Sequence, residues 1–183
     1  KLVIGVENTP TVIFDLMQFL VIDLGGVVGQ IGMGQHGTAF AHAGMRMGPA
    51  ICYEGLYGDF YGDFVRRGAQ FMAIISNDGW WGDTPGYKHL FTISRLRAIE
   101  HRRAIARSAN TGMSGFISAR GDIGETLGWE KRGVISAAVP LNSELTFYTR
   151  YGDYLGRISE YLTLLCVLYY IAYRVKRKNY LVK

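Results

Sequence analysis

Cysteine and histidine are scarce in this chain of 183 residues, and each scarcity excludes something. Two cysteines make no disulfide framework; Cys166 lies in an apolar run far from Cys52, and both are expected to be free. Four histidines show no metal-ligand spacing. His36 and His42 fall in a glycine-rich region and His89 and His101 on a predicted helix, so a solvated or structural role is expected for each and no metal site is assigned. The net charge is +5, yet the basic residues divide between residues 95–107 and 174–178 instead of forming one face with stacking aromatics. No nucleic-acid partner is expected on that basis. The glycine-rich stretch 25–37 contains no lysine and no phosphate-loop pattern, and no cofactor is implied. There is no initiator Met and no signal peptide, so the chain reads as a piece of a longer protein. With 49% hydrophobic and 19% charged residues, the chain has enough apolar material for one domain with a core.

What is present centres on Gly48-Pro-Ala-Ile-Cys52-Tyr53-Glu54. An apolar run ends at Ile51 and turns polar at the thiol. A cysteine held at the end of a buried strand beside a carboxylate meets the needs of a nucleophile. A small buried hydrophobe is the other meaning of the same pattern, and the local residues leave both open. About two dozen residues on, Phe71-Met-Ala-Ile-Ile-Ser76-Asn77-Asp78-Gly79-Trp80-Trp81-Gly82 repeats the form: an apolar strand, then polar residues and glycines. Two such strands in succession predict an α/β sheet carrying a site beyond its carboxyl ends.

These two stretches, followed by Arg97-Ala-Ile-Glu100 and Arg107-Ser-Ala-Asn-Thr-Gly112, resemble the nitrilase (carbon–nitrogen hydrolase) superfamily, and within it the membrane acyltransferase branch. The resemblance implies part of a nitrilase-type α-β-β-α sandwich over residues 1–153. A transmembrane helix and basic tail follow over residues 154–183. It implies a Glu–Lys–Cys triad with Cys52 as nucleophile. The lysine falls three residues before the position of Leu2, so Lys1 is not that lysine, and the base also lies upstream. Glu7 matches a glutamate needed near the family's site, although by itself it reads as a solvated loop carboxylate. Glu54 is expected to orient groups or shuttle protons, with Tyr53, Asn77 and Trp80 shaping the substrate site. The implied chemistry passes an acyl chain from a phospholipid donor through a Cys52 thioester to a diacylglyceryl apolipoprotein acceptor. That places the protein in a bacterial inner membrane, with the catalytic domain periplasmic and the C-terminus cytoplasmic.

Local patterns supply the remaining expectations. An amphipathic segment over 11–24 precedes two short strands over 38–43 and 45–51 around Gly44. Phe60, Phe64 and Val65 predict a short helix closed at Gly68. A strand over 71–75 comes next, then a helix start at Asp83-Thr84-Pro85. That helix is expected to run over 87–108, burying Leu90, Ile93, Leu96, Ile99 and Ile105. Arg95, Arg102 and Arg103 then fall on a solvated face or one that meets anionic lipid headgroups. Glu100 is expected to pair with a neighbouring arginine. Residues 113–119 and 134–139 are predicted strands, with a tight turn at Arg120-Gly-Asp122. Beyond Tyr161 the chain is almost continuously apolar and closes on Arg174, Lys176, Arg177 and Lys178, which predicts a membrane anchor. Two other functions remain compatible with these residues. One is a soluble amidase or nitrilase hydrolysing C–N bonds, and the other a non-catalytic membrane-anchored binding module.

Overall fold

The computed structural model describes residues 36–181. The predicted elements at Glu7, 11–24 and most of 25–37 lie outside that range. Six strands follow in sheet order as they follow in sequence: β1 (Phe40–His42), β2 (Met45–Ile51), β3 (Phe71–Ser76), β4 (Ile105–Ala109), β5 (Ser114–Ile117) and β6 (Ile123–Leu127). The central pairs β2–β3 and β3–β4 are parallel, and the flanking pairs are antiparallel. Parallel neighbours need crossovers, and these are helical: α1 (Gly58–Arg66) leads from β2 to β3, and α2 (Pro85–His101) from β3 to β4. Because the strand order advances in one direction, right-handed crossovers put both helices on the same face. Ala50, Met72, Ile74, Ile105 and Ile117 from the sheet meet Tyr61, Phe64, Val65, Phe91 and Ala98 from the helices in one core.

The alternation of β2 and β3 decides what faces this core. Gly48 and Ala50 point to the helices, as do Met72 and Ile74, while Ile51 and Ile75, paired across the ladder, remain exposed on the other side. Helix α1 stops at a left-handed Gly68 (φ 96°), as its sequence predicts. Thr84 caps α2 by accepting from the Gly86 N–H, with Pro85 in its first turn.

Four expectations fail here. Helix α2 ends at His101, not near 108, because Arg102 turns left-handed (φ 49°, ψ 47°) and releases Ile105–Ala109 to pair with β3. Its buried face is Tyr87, Phe91, Ser94, Arg97, Ala98 and His101, whereas Leu96 and Ile99 are exposed. Arg103 is not on a solvated face. It is fully buried and donates to the carbonyls of Ala69, His101, Arg102 and Glu144. Residues 134–139 form no strand. The place beside β5 is taken by Ile123–Leu127, which a turn at Gly121 (φ 86°) returns to the ladder sooner.

The chain then crosses to a short helix, α3 (Phe147–Tyr151), and to the long α4 (Tyr154–Leu181). Residues Tyr154–Arg174 form a 21-residue stretch long and apolar enough to cross a membrane, and none of it is buried against the other described residues.

Candidate active site

Strand β2 ends at Ile51, and Cys52 opens a 3-10 turn (Cys52–Leu56) with a left-handed backbone, φ 51°. A non-glycine residue rarely holds that conformation; it costs on the order of 1–3 kcal/mol and persists only where the surroundings fix it. One fixing group is Glu54. Its carboxylate is buried and accepts the Ile51 N–H at 2.7 Å, so the residue two places after the thiol ties down the strand end before it. Tyr53 lies between them. Its hydroxyl is pushed above the usual phenol range, first by burial and then by proximity to Cys52, with the Trp81 indole acting in the opposite sense.

The ladder sets Ile51 opposite Ile75, so Cys52 and Ser76 sit side by side at the carboxyl ends of parallel strands. Asn77 caps the next 3-10 turn (Asp78–Trp81) by accepting from the Gly79 N–H at 3.2 Å. Trp80, on that turn, is 83% exposed and lies in solvent among the described residues. Of the residues expected from the sequence, the fold thus gathers Cys52, Tyr53, Glu54 and Asn77 at adjacent strand ends. It leaves Trp80 on the rim, and Glu7 is outside the described residues.

Below the thiol is a small cavity of about 10 Å³, room for one water. Cys52, Leu56, Ser76, Leu90, Ser94 and Arg107 line it. Arg107 comes from β4 and Ser94 from α2. Arg107 donates through Nη2 to both oxygens of Asp78, at 3.0 and 2.8 Å. Its Nη1 donates to Ser94 Oγ at 3.2 Å and its Nε to the Met113 carbonyl at 3.2 Å. Ser76 Oγ donates to Asp78 Oδ1 at 2.5 Å. Both charged side chains are buried, Asp78 completely. Reading the sequence missed this pair as a site feature, although both residues stand in the motifs quoted above. The available signal was the parity of β4, where Arg107 shares a face with the buried Ile105. Among the described residues no cluster of His, Cys, Asp and Glu is arranged to hold a metal ion.

A thiol at a parallel strand end, with an acidic residue behind it and a small cavity beside it lined in part by Ser76, Ser94 and Arg107, fits a nucleophile. The family profile of carbon-nitrogen hydrolases matches residues 15–145 of this chain. The chain belongs to the carbon-nitrogen hydrolase family. Its sheet and single helix layer are accordingly part of the family's α-β-β-α sandwich. The apolipoprotein N-acyltransferase of Chlorobaculum tepidum is 45% identical over 109 residues, which cover 60% of this chain and 20% of that protein. The protein of the same name from Rhizobium meliloti is 42% identical over 97 residues, covering 53% and 18%. The chain therefore spans about a fifth of the length of these curated relatives. Among solved structures, a nitrilase-superfamily member from Saccharomyces cerevisiae is similar with a TM-score of 0.48 at 20% identity, covering 56% of this chain and 41% of that one.

Proposed function

We propose that this chain is part of an N-acyltransferase that moves a fatty acyl chain from a phospholipid to the N-terminal amine of a diacylglyceryl-cysteine apolipoprotein. The observation that carries the proposal is a combination on one chain. A carbon-nitrogen hydrolase thiol sits at a sheet margin, and an unburied apolar helix of spanning length leaves the same domain. The names of the relatives support it.

In the first half-reaction the Cys52 thiolate attacks the ester carbonyl of the phospholipid. The tetrahedral intermediate collapses to a thioester, and the lysophospholipid alkoxide leaves with a proton from a general acid. In the second, the α-amine of the acceptor attacks the thioester, gives up a proton to the base and expels the thiolate. A thiolate is a good leaving group toward an amine, which suits transfer over hydrolysis. The base and the oxyanion-stabilising lysine come from upstream, and Glu7 matches a glutamate that the family's site requires. Glu54 holds the strand end on which the thiol rides, while Tyr53, Asn77 and Trp80 border the acyl donor. Helix α4 anchors the domain in the inner membrane. The basic residues near its C-terminal end lie on the cytoplasmic side, and the catalytic domain is periplasmic.

The test uses the full-length protein in phospholipid nanodiscs. A hydroxylamine-labile acyl adduct on Cys52 is expected, and Cys52→Ser abolishes it. An adduct that survives in Cys52→Ser sinks the proposal, and ammonia release from small amides without any lipid-derived adduct would favour an amidase.

A further inference from the structure

The proposed reaction gives no role to the most deeply buried charges near the thiol. Asp78 and Arg107 are 0% and 3% exposed at the side chain, and such a pair is seldom retained for stability, since well-packed apolar residues of the same volume serve as well or better. Its hydrogen bonding is closed. Asp78 takes Ser76 Oγ and both Nη2 contacts, and Arg107 reaches Ser94 and Met113 as well. Gly112 leaves room for it, because a Cβ there would overlap the Asp78 carboxylate. Three separate stretches of sequence therefore meet at one neutral, saturated pair.

Asp78 is also the first residue of the turn Asp78–Trp81. Trp81 on that turn packs over Gly86 and stands beside the Tyr53 hydroxyl, and Tyr53 follows Cys52 directly. On the other side, Arg107 and Ser76 form the floor of the Cys52 cavity. The pair thus touches the thiol's surroundings from two directions.

We infer that Asp78–Arg107 is the positioning pair of the Cys52 site: it fixes the thiol through the Asp78–Trp81 turn, Tyr53 and the cavity floor, and adds no net charge to it. The inference rests on Cys52 being the acyl-accepting thiol. Two perturbations reach the pair differently. The double variant Asp78→Asn/Arg107→Met removes both charges and leaves the sum unchanged. Gly112→Ala keeps both charges and displaces the carboxylate. Each is made in full-length protein with Cys166→Ser, reconstituted in phospholipid nanodiscs, and checked for folding by circular dichroism. Two quantities are read at Cys52 by mass spectrometry: the rate of acyl-thioester formation, and the pH midpoint and limiting rate of iodoacetamide alkylation.

Both variants are expected to form the thioester roughly 10- to 100-fold more slowly, the cost of a misplaced reacting group. The alkylation midpoint of the double variant is expected to stay at the wild-type value while its limiting rate changes. Arg107→Lys, which keeps the charge and loses the fork, should retain the midpoint and fail to restore the rate. Wild-type thioester formation in either folded variant overturns the inference, as does a displaced midpoint in the double variant. Should wild-type protein itself form no thioester from phospholipid, the acyltransferase proposal fails. The limiting alkylation rate then still decides this one, and an unchanged rate refutes it.

Discussion

Helix α2 carries two buried polar clusters, and they are built on opposite plans. Toward its middle, Ser94 joins Asp78 and Arg107 under the thiol, with one anion against one cation and every contact made. At its end, Arg97, Glu100 and His101 meet α1 and α3 in a cluster that does not close. Arg97 donates to Glu100 Oε1 at 3.1 Å, yet Arg97 Nε, Glu100 Oε2 and Tyr61 Oη have no hydrogen-bond partner among the described residues. His101 is fully buried, donating from Nε2 to the Gly58 carbonyl and accepting at Nδ1 from Thr149. Thr146 bonds the Glu100 carbonyl, and Arg66 bonds that of Thr149, so the short helix that leads into α4 is pinned here. The difference separates two uses of buried polarity. A saturated pair fixes geometry beside the chemistry, and an open cluster joins the domain to its apolar helix while leaving groups able to titrate.

The sharpest way to break that contrast is to remove one charge from the closed pair. Asp78→Asn strands the Arg107 guanidinium in the interior, and a loss of about 3–5 kcal/mol in unfolding free energy is expected. Thermal unfolding of the full-length protein measures it, and a loss below that of the next variant would make the two clusters equivalent. At the open cluster, Thr149→Val removes the hydroxyl that donates to His101 Nδ1. About 1–3 kcal/mol is expected there, the cost of orphaned buried groups without an orphaned charge.

Much of the sheet was legible because its signals are local. Residues 45–51 and 71–75 are short apolar runs bounded by glycine or polar residues, and they form β2 and β3. Gly68 and Pro85 mark helix boundaries by backbone chemistry alone. What failed was the rule that apolar residues mark the buried face. On α2, Leu96 and Ile99 are exposed at 47% and 40%, while Ser94, Arg97 and His101 are buried. Arg97 pairs with Glu100 inside the helix, but His101 is satisfied by Gly58 and Thr149 and Ser94 also meets Arg107, none of them within one turn of α2, so no window of α2 reveals those contacts. The same holds under the thiol. The placement of Cys52 and Asn77 at strand ends follows from pattern, whereas the Asp78–Arg107 bond spans 29 residues and depends on parallel pairing.

The smallest predicted effect sharpens the comparison through pH. His101 is held neutral, its pKa lowered from 6.5 to about 3, first by burial and then by Arg97, with Arg66 and Arg103 adding to it against the Gly58 bond. An unfolded chain protonates this ring below pH 6.5 and the folded chain does not. The unfolded state therefore binds more protons between about 6.5 and 3, and stability falls as pH falls through that window and levels off above it. From pH 6.5 to 5.5 the loss attributable to this group is about 1 kcal/mol. Glu100 faces the same cluster with its carboxyl pushed upward by burial, despite Arg97, and its protonation in the fold works in the opposite direction at the acid end. Asp153 and Asp59 also approach Glu100 and push its carboxyl further upward. His101→Gln preserves a donor for Gly58 and an acceptor for Thr149 without a titrating ring. Its unfolding free energy should stay flat between pH 5.5 and 6.5 where that of the wild type declines. Equal slopes would show that the imidazole is not the group excluded from charging.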